Sequence, residues 1–211
     1  MKKLIVESLG AFYLTMAVGL SYLMVRNVST APLSIGLTAM IILYLGSRVS
    51  GGHFNPIISI ACAIKGTLPI SSLPNYILAQ FLGASIAFFP VSFLVPHQSL
   101  PVGNTNMAQI FAAEFLFSVL LALSFLFISS HKDKSYAYSG IVIGAIYAIA
   151  ILLIGEISKG VINPAIGFAL LVFRVIPNSL IPVYLSAHLL AALVAGLLFR
   201  YLTLEEEQKQ P

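Results

Sequence analysis

A chain of 211 residues that is 59% apolar and only 9% charged is not a soluble domain, where about 25% of residues carry charge; it reads as a polytopic membrane protein with room for roughly six helices of about 20 residues and little else. The net charge of +4 comes from Lys and Arg residues scattered singly, which suits the flanks of membrane spans and not a nucleic-acid surface. The lone Cys62 excludes an intramolecular disulfide, and no nucleophile–base pair, metal-ligand cluster or phosphate loop points to an enzyme, a cofactor or a metal.

The apolar run behind Lys2 and Lys3 continues without a small-residue cleavage site, so it predicts a first spanning helix over residues 4–25 and not a signal peptide. A polar break at 26–32 leads to a second span over 33–46. Ser50-Gly51-Gly52 then breaks the helix. The next apolar stretch, 55–63, is too short to cross a bilayer. Asn55 is a preferred N-cap and Pro56 suits the first helical position, so the stretch predicts a re-entrant half-helix. Lys65-Gly66-Thr67-Leu68-Pro69 ends it, and a third span covers 76–95. After a polar loop at 96–106 the order repeats. Spans over 107–129 and 138–154 flank the charged turn His131-Lys132-Asp133-Lys134, and Ser158-Lys159-Gly160 is a second breaker. A second Asn-Pro-led short segment follows at 163–173, then a last span over 182–202 and a solvated tail at 205–211.

Asn55 and Asn163 lie 108 residues apart. The same offset lays Ile35-Gly36 on Ile143-Gly144, Pro74 on Pro182, and Tyr76 and Gln80 on Tyr184 and His188. Glu7 and Glu114, 107 apart, each stand near the start of a half. Three spans per half is an odd number, so the second half enters from the opposite face. The expected fold is all-α: six transmembrane helices and two half-helices in an inverted repeat, residues 1–96 and 107–204 of one domain, 1–204. Charge agrees, since Lys2, Lys3, Arg48, Lys65, Lys132, Lys134, Arg200 and Lys209 fall on the side this topology makes cytoplasmic, with both termini. Arg26, Lys159 and Arg174 fall outside.

In such a repeat the two Asn-Pro ends meet near the midplane. Helix N-termini carry free N–H groups and a positive dipole end. Two of them, with two Asn amides, make a centre that donates hydrogen bonds and repels cations, which suits a neutral acceptor such as water. The stretches 50–54 and 158–162 are expected to run extended, with carbonyls facing a water-filled lumen.

The string Ser50-Gly51-Gly52-His53-Phe54-Asn55-Pro56, the second Asn163-Pro164-Ala165, Ala113-Glu114-Phe115 and Ala79-Gln80 together resemble the aquaporin, or major intrinsic protein, family over nearly the full length. The resemblance implies a right-handed helical bundle in the cell (inner) membrane, surrounded by lipid and homotetrameric, with one pore per subunit for water or small neutral solutes. It puts the pore centre at Asn55, Pro56, Ile57, Asn163, Pro164 and Ala165, and the lining loops at Gly51, Gly52, His53, Phe54, Val161 and Ile162. It also makes Glu7 and Glu114 acceptors for the loop backbone, in preference to a proton relay. Gln80 and His188 take equivalent structural positions; the family typically has Pro at the second, and no function attaches to His188. His53 is read mainly as a loop-stabilising residue, with a pore-lining role as the alternative.

Two departures bear on selectivity. The first motif ends in Ile57, a change of packing, and Ile166 stands where the family usually places an Arg. The resemblance then gives a filter of Ile35, Ile151, Gly160 and Ile166. Losing an Arg at about 8 Å and an effective dielectric near 20 removes roughly 2 kcal/mol of cation repulsion, about thirtyfold. An apolar ring also denies a solute its hydrogen-bond partners, at about 1–3 kcal/mol each. The expectation is a passive channel; the alternatives are a glycerol, ammonia or gas channel with poor water flux, or an ion-coupled transporter, which also uses broken helices.

Overall fold

The structure, a computed structural model, describes residues 1–24, 30–95, 106–130 and 136–207, with the backbone alone at 24, 136, 137 and 204–207. The charged turn at 131–134, Arg26 and most of the loops at 26–32 and 96–106 lie outside the described residues, as do Lys209 and the side chains of the tail.

The described chain is helical: α1 (Lys2–Met24), α2 (Ala31–Ser50), α3 (Pro56–Lys65), α4 (Leu73–Ile86), α5 (Phe88–Leu94), α6 (Met107–Ser130), α7 (Tyr136–Ser158), α8 (Pro164–Val172) and α9 (Ile181–Glu207). Six stretches are long and apolar enough to cross a membrane, with α4 and α5 counted within one of them. That third span is broken at Ala87, where a single helix was expected. Pro90 supplies the reason: its ring clashes with the carbonyl four residues back, at Ile86, and it has no N–H to donate. α2 and α7 each run four residues past their expected ends. Gly46 and Gly155 look like stops in the sequence, but the helices end at left-handed Gly51 and Lys159.

Helix packing has a symmetry of its own. α1 packs on α2 and α4, and correspondingly α6 packs on α7 and α9. Each half-helix crosses over to the other half, α3 onto α9 and α8 onto α4. α2 meets α7, its own counterpart, through glycines: a Cβ on Gly36 would fall 2.6 Å from the Gly144 carbonyl, and one on Gly144 2.5 Å from the Gly36 carbonyl. Only side-chain-free positions let two backbones approach so closely. Exchanging the halves leaves this set of neighbours unchanged.

The backbone repeats the symmetry residue by residue. Positive φ occurs at Gly51, Gly52, Phe54 and Gly66, and again at Lys159, Gly160, Ile162 and Arg174, each pair 108 apart. The short 3-10 turns Ile70–Ser72 and Asn178–Leu180 obey the same offset.

Candidate functional site

The two half-helices start at the heart of the bundle. Asn55 and Asn163 are extended N-caps whose Oδ1 atoms accept from Ile57 N (2.9 Å) and Ala165 N (3.0 Å), the ordinary capping bond. Pro56 and Pro164 occupy the first helical position, where a missing N–H costs nothing. Both Asn residues have no accessible surface.

Their amide nitrogens reach across to the opposite loop. Asn55 Nδ2 donates to the Ile162 carbonyl at 2.9 Å, and Asn163 Nδ2 donates to the Phe54 carbonyl at 3.0 Å. The two tips therefore lock each other. Each Nδ2 also donates to one shared hydroxyl, that of Tyr147 on α7, at 3.1 Å from Asn55 and 3.5 Å from Asn163.

Each loop hangs from a buried carboxylate. Glu7 accepts from His53 N (3.0 Å), Phe54 N (2.7 Å), Ser50 Oγ (2.6 Å) and Gln80 Nε2 (2.7 Å). Glu114 accepts from Val161 N (2.8 Å) and Ile162 N (2.7 Å), and His188 Nε2 lies 2.8 Å from its Oε2. Gln80 and His188 thus do the same task in the two halves. Inside helical membrane spans a carboxylate needs such partners, because water is not there to supply them. Tyr76 and Tyr184 add a matching pair, donating to the carbonyls of Ser50 (2.7 Å) and Ser158 (2.6 Å), and the Tyr22 hydroxyl donates to the Lys159 carbonyl.

These bonds correct the expectation of extended loops. Left-handed residues fold both stretches, and the carbonyls of Ser50, Phe54, Ser158, Lys159 and Ile162 are turned to protein donors. His53 does two things at once: its Nδ1 pairs with Ser59 Oγ at 3.1 Å and its ring packs on Tyr76 and Phe125. Together with Gly51, Arg48, Lys3 and Cys62 it also lines a polar cavity of about 470 Å³ at one end of the bundle. Gly52 takes no part in that lining; its N–H donates to Ser50 Oγ at 3.1 Å.

Three of the four residues expected to form the filter are buried in one apolar core. Ile35 has no accessible surface, Ile166 1% and Ile151 4%. Gly160 sits against Ile151, where a Cβ would come within 3.0 Å of the Ile151 Cα. Almost none of the surface of these three isoleucines is accessible. Among the described residues no group of His, Cys, Asp or Glu is arranged to hold a metal ion.

Sequence reasoning missed Tyr147, Tyr76 and Tyr184. Tyr147 lies one helical turn before Ile151, so it shares that residue's face, and a hydroxyl in an apolar span was the available signal. Tyr76 and Tyr184 already stood in register between the halves; their hydroxyls had no evident partner until the loops were in place.

The major intrinsic protein family model matches the chain twice, over residues 1–155 and 105–210. Nodulin-26 of Glycine max is 28% identical over 176 residues, covering 78% of this chain and 65% of that protein. Aquaporin NIP3-1 of Arabidopsis thaliana is 32% identical over 184 residues, covering 78% and 56%. Glycerol uptake facilitator protein-like 6 of Lactiplantibacillus plantarum is 28% identical over 174 residues, covering 78% and 81%. The chain thus spans less than two thirds of the length of the two plant relatives. In fold it is similar to the aquaglyceroporin from Plasmodium falciparum, with a TM-score of 0.71 at 18% identity, covering 96% of this chain and 94% of that one.

Proposed function

The chain belongs to the major intrinsic protein family and is an integral membrane protein with six apolar spans; we propose that it is a passive channel for water and small uncharged solutes, not an enzyme. The route runs between the two half-helix tips, past Asn55 and Asn163. The observation that carries this reading is the reciprocal bonding of those tips, Asn55 to the Ile162 carbonyl and Asn163 to the Phe54 carbonyl. It fixes two helix N-termini at one point of the bundle, with their positive ends set against cations.

The halves, residues 1–96 and 107–204, act as an inverted repeat, so the polar cavity at Arg48 and Lys3 is the cytoplasmic mouth. The cell (inner) membrane, cytoplasmic termini and a homotetramer complete the reading. Ile35, Ile151, Gly160 and Ile166 form the outer constriction. With no Arg among them, exclusion of cations falls to the tips, and a solute meets apolar walls. That specific composition favours a second reading of the same route, a glycerol, ammonia or gas channel with poor water flux.

Purified protein in liposomes, followed by light scattering and a pH-sensitive dye, tests the proposal. Water, glycerol or ammonia is expected to cross faster than in protein-free vesicles, at a rate linear in the gradient and indifferent to sodium and proton gradients. Flux that saturates and collapses with an ion gradient means a coupled transporter. Rates equal to those of empty vesicles for all three solutes overturn the channel.

A further inference from the structure

The centre holds a group that neither Asn-Pro motif supplies. An Asn side chain has two N–H donors. At both Asn55 and Asn163 one is taken by the opposite loop's carbonyl and the other is directed at the Tyr147 hydroxyl. Little donor capacity is left for a solute, the Asn163 contact being the longer of the two. The phenol oxygen, which has room for two incoming hydrogen bonds, stands where a solute oxygen would have to stand to meet both amides. Tyr147 is 3% exposed, and Ile57, Ile162 and Ala165, close in the chain to the two Asn residues it meets, have no accessible surface. The hydroxyl proton itself finds no acceptor among the described residues.

We propose that Tyr147 is the central gate of the passage and its selectivity-determining residue. With the hydroxyl bridging Asn55 and Asn163, the route is shut. Passage requires the phenol to leave the pair, and the solute that replaces it must offer an oxygen able to accept from two amides. That chemistry belongs to water, alcohols and amides. Ammonia has a single lone pair and satisfies only one of the two. The gate rests on the channel reading above; it acts at the centre, in series with the apolar ring at Ile35, Ile151, Gly160 and Ile166.

The test uses the full chain in liposomes as wild type, Tyr147→Val and Tyr147→Phe. Valine removes both ring and bridge; phenylalanine keeps the ring but cuts its tether, and differs by one atom if the valine variant fails to fold. Water permeability is expected to rise by about tenfold or more for Tyr147→Val, the factor two lost hydrogen bonds imply. Tyr147→Phe rises by less, and the gain for ammonia is smaller than for water. In parallel, deuterium exchange of the Asn55 and Asn163 side-chain amides, followed by NMR on asparagine-labelled protein, is slow in wild type and faster in both variants. Faster exchange with no gain in flux overturns the gate, while flux equal to that of protein-free vesicles in wild type and both variants overturns the channel reading instead. Folded variants with wild-type flux and wild-type exchange overturn the gate.

Discussion

A buried carboxylate in a membrane span is tolerable only when every lone pair that lacks water finds a donor. Glu7 has two backbone N–H groups, a serine hydroxyl and the Gln80 amide; Glu114 has two backbone N–H groups and His188. His188 thus supplies what Gln80 supplies, and each keeps an atom on its far side, Nδ1 and Oε1, that has no partner among the described residues. His188→Gln is therefore expected to preserve stability, since an amide at this position serves Glu7 already. His188→Leu removes a donor from Glu114 and is expected to cost about 1–3 kcal/mol, a fall in Tm of a few degrees for a chain of this size. Cys62 is free and buried, so a thiol-reactive fluorogenic dye reads unfolding directly. A leucine variant as stable as wild type contradicts the assignment.

Elements meet here through missing side chains. α1 and α4 touch at Gly83, where a Cβ would fall 2.0 Å from the Ser8 carbonyl oxygen, and α9 meets α3 at Gly196, where one would fall 2.8 Å from Ile64. Backbone cannot step aside as a side chain can, so Gly83→Ala must push α1 and α4 away from each other. Gly66 poses the opposite case: nothing lies within 4 Å of its Cβ position, and only its φ of 93° resists substitution. Its counterpart Arg174 holds φ 58° with a full side chain. Gly66→Ala is thus expected to cost about 1 kcal/mol and Gly83→Ala clearly more, in the order of the overpacking penalties of tight cores, about 1–3 kcal/mol or beyond. The thiol-dye melting assay checks the order, and a reversed order refutes the close-contact account.

Across the whole molecule, much of the architecture is written in the sequence as a 108-residue offset. Apolar runs mark the spans, and Asn-Pro marks each half-helix start because capping is a local matter of one side chain and its own next two residues. What stayed hidden was non-local. The break at Ala87 depends on Pro90 acting backward along its helix. The carbonyls of Phe54 and Ile162 are claimed by Asn163 and Asn55, more than 100 residues away in the chain. Tyr147 joins a third helix to both tips, and no periodicity announces which hydroxyl in an apolar span will face the centre. The tyrosines that hold the Ser50 and Ser158 carbonyls were likewise in register before their task was apparent.

If solute passes between the two half-helix tips, a thiol placed there must lie in its path. In a Cys62→Ser background, a single cysteine placed at Ala165, beside Asn163, puts a thiol on that route, while one at Leu185, on the exposed outer surface of α9, does not. A small mercurial is expected to block solute flux through Ala165→Cys liposomes, reversibly on adding free thiol, and to leave Leu185→Cys liposomes unaffected. Undiminished flux through Ala165→Cys protein whose thiol has reacted would contradict that route.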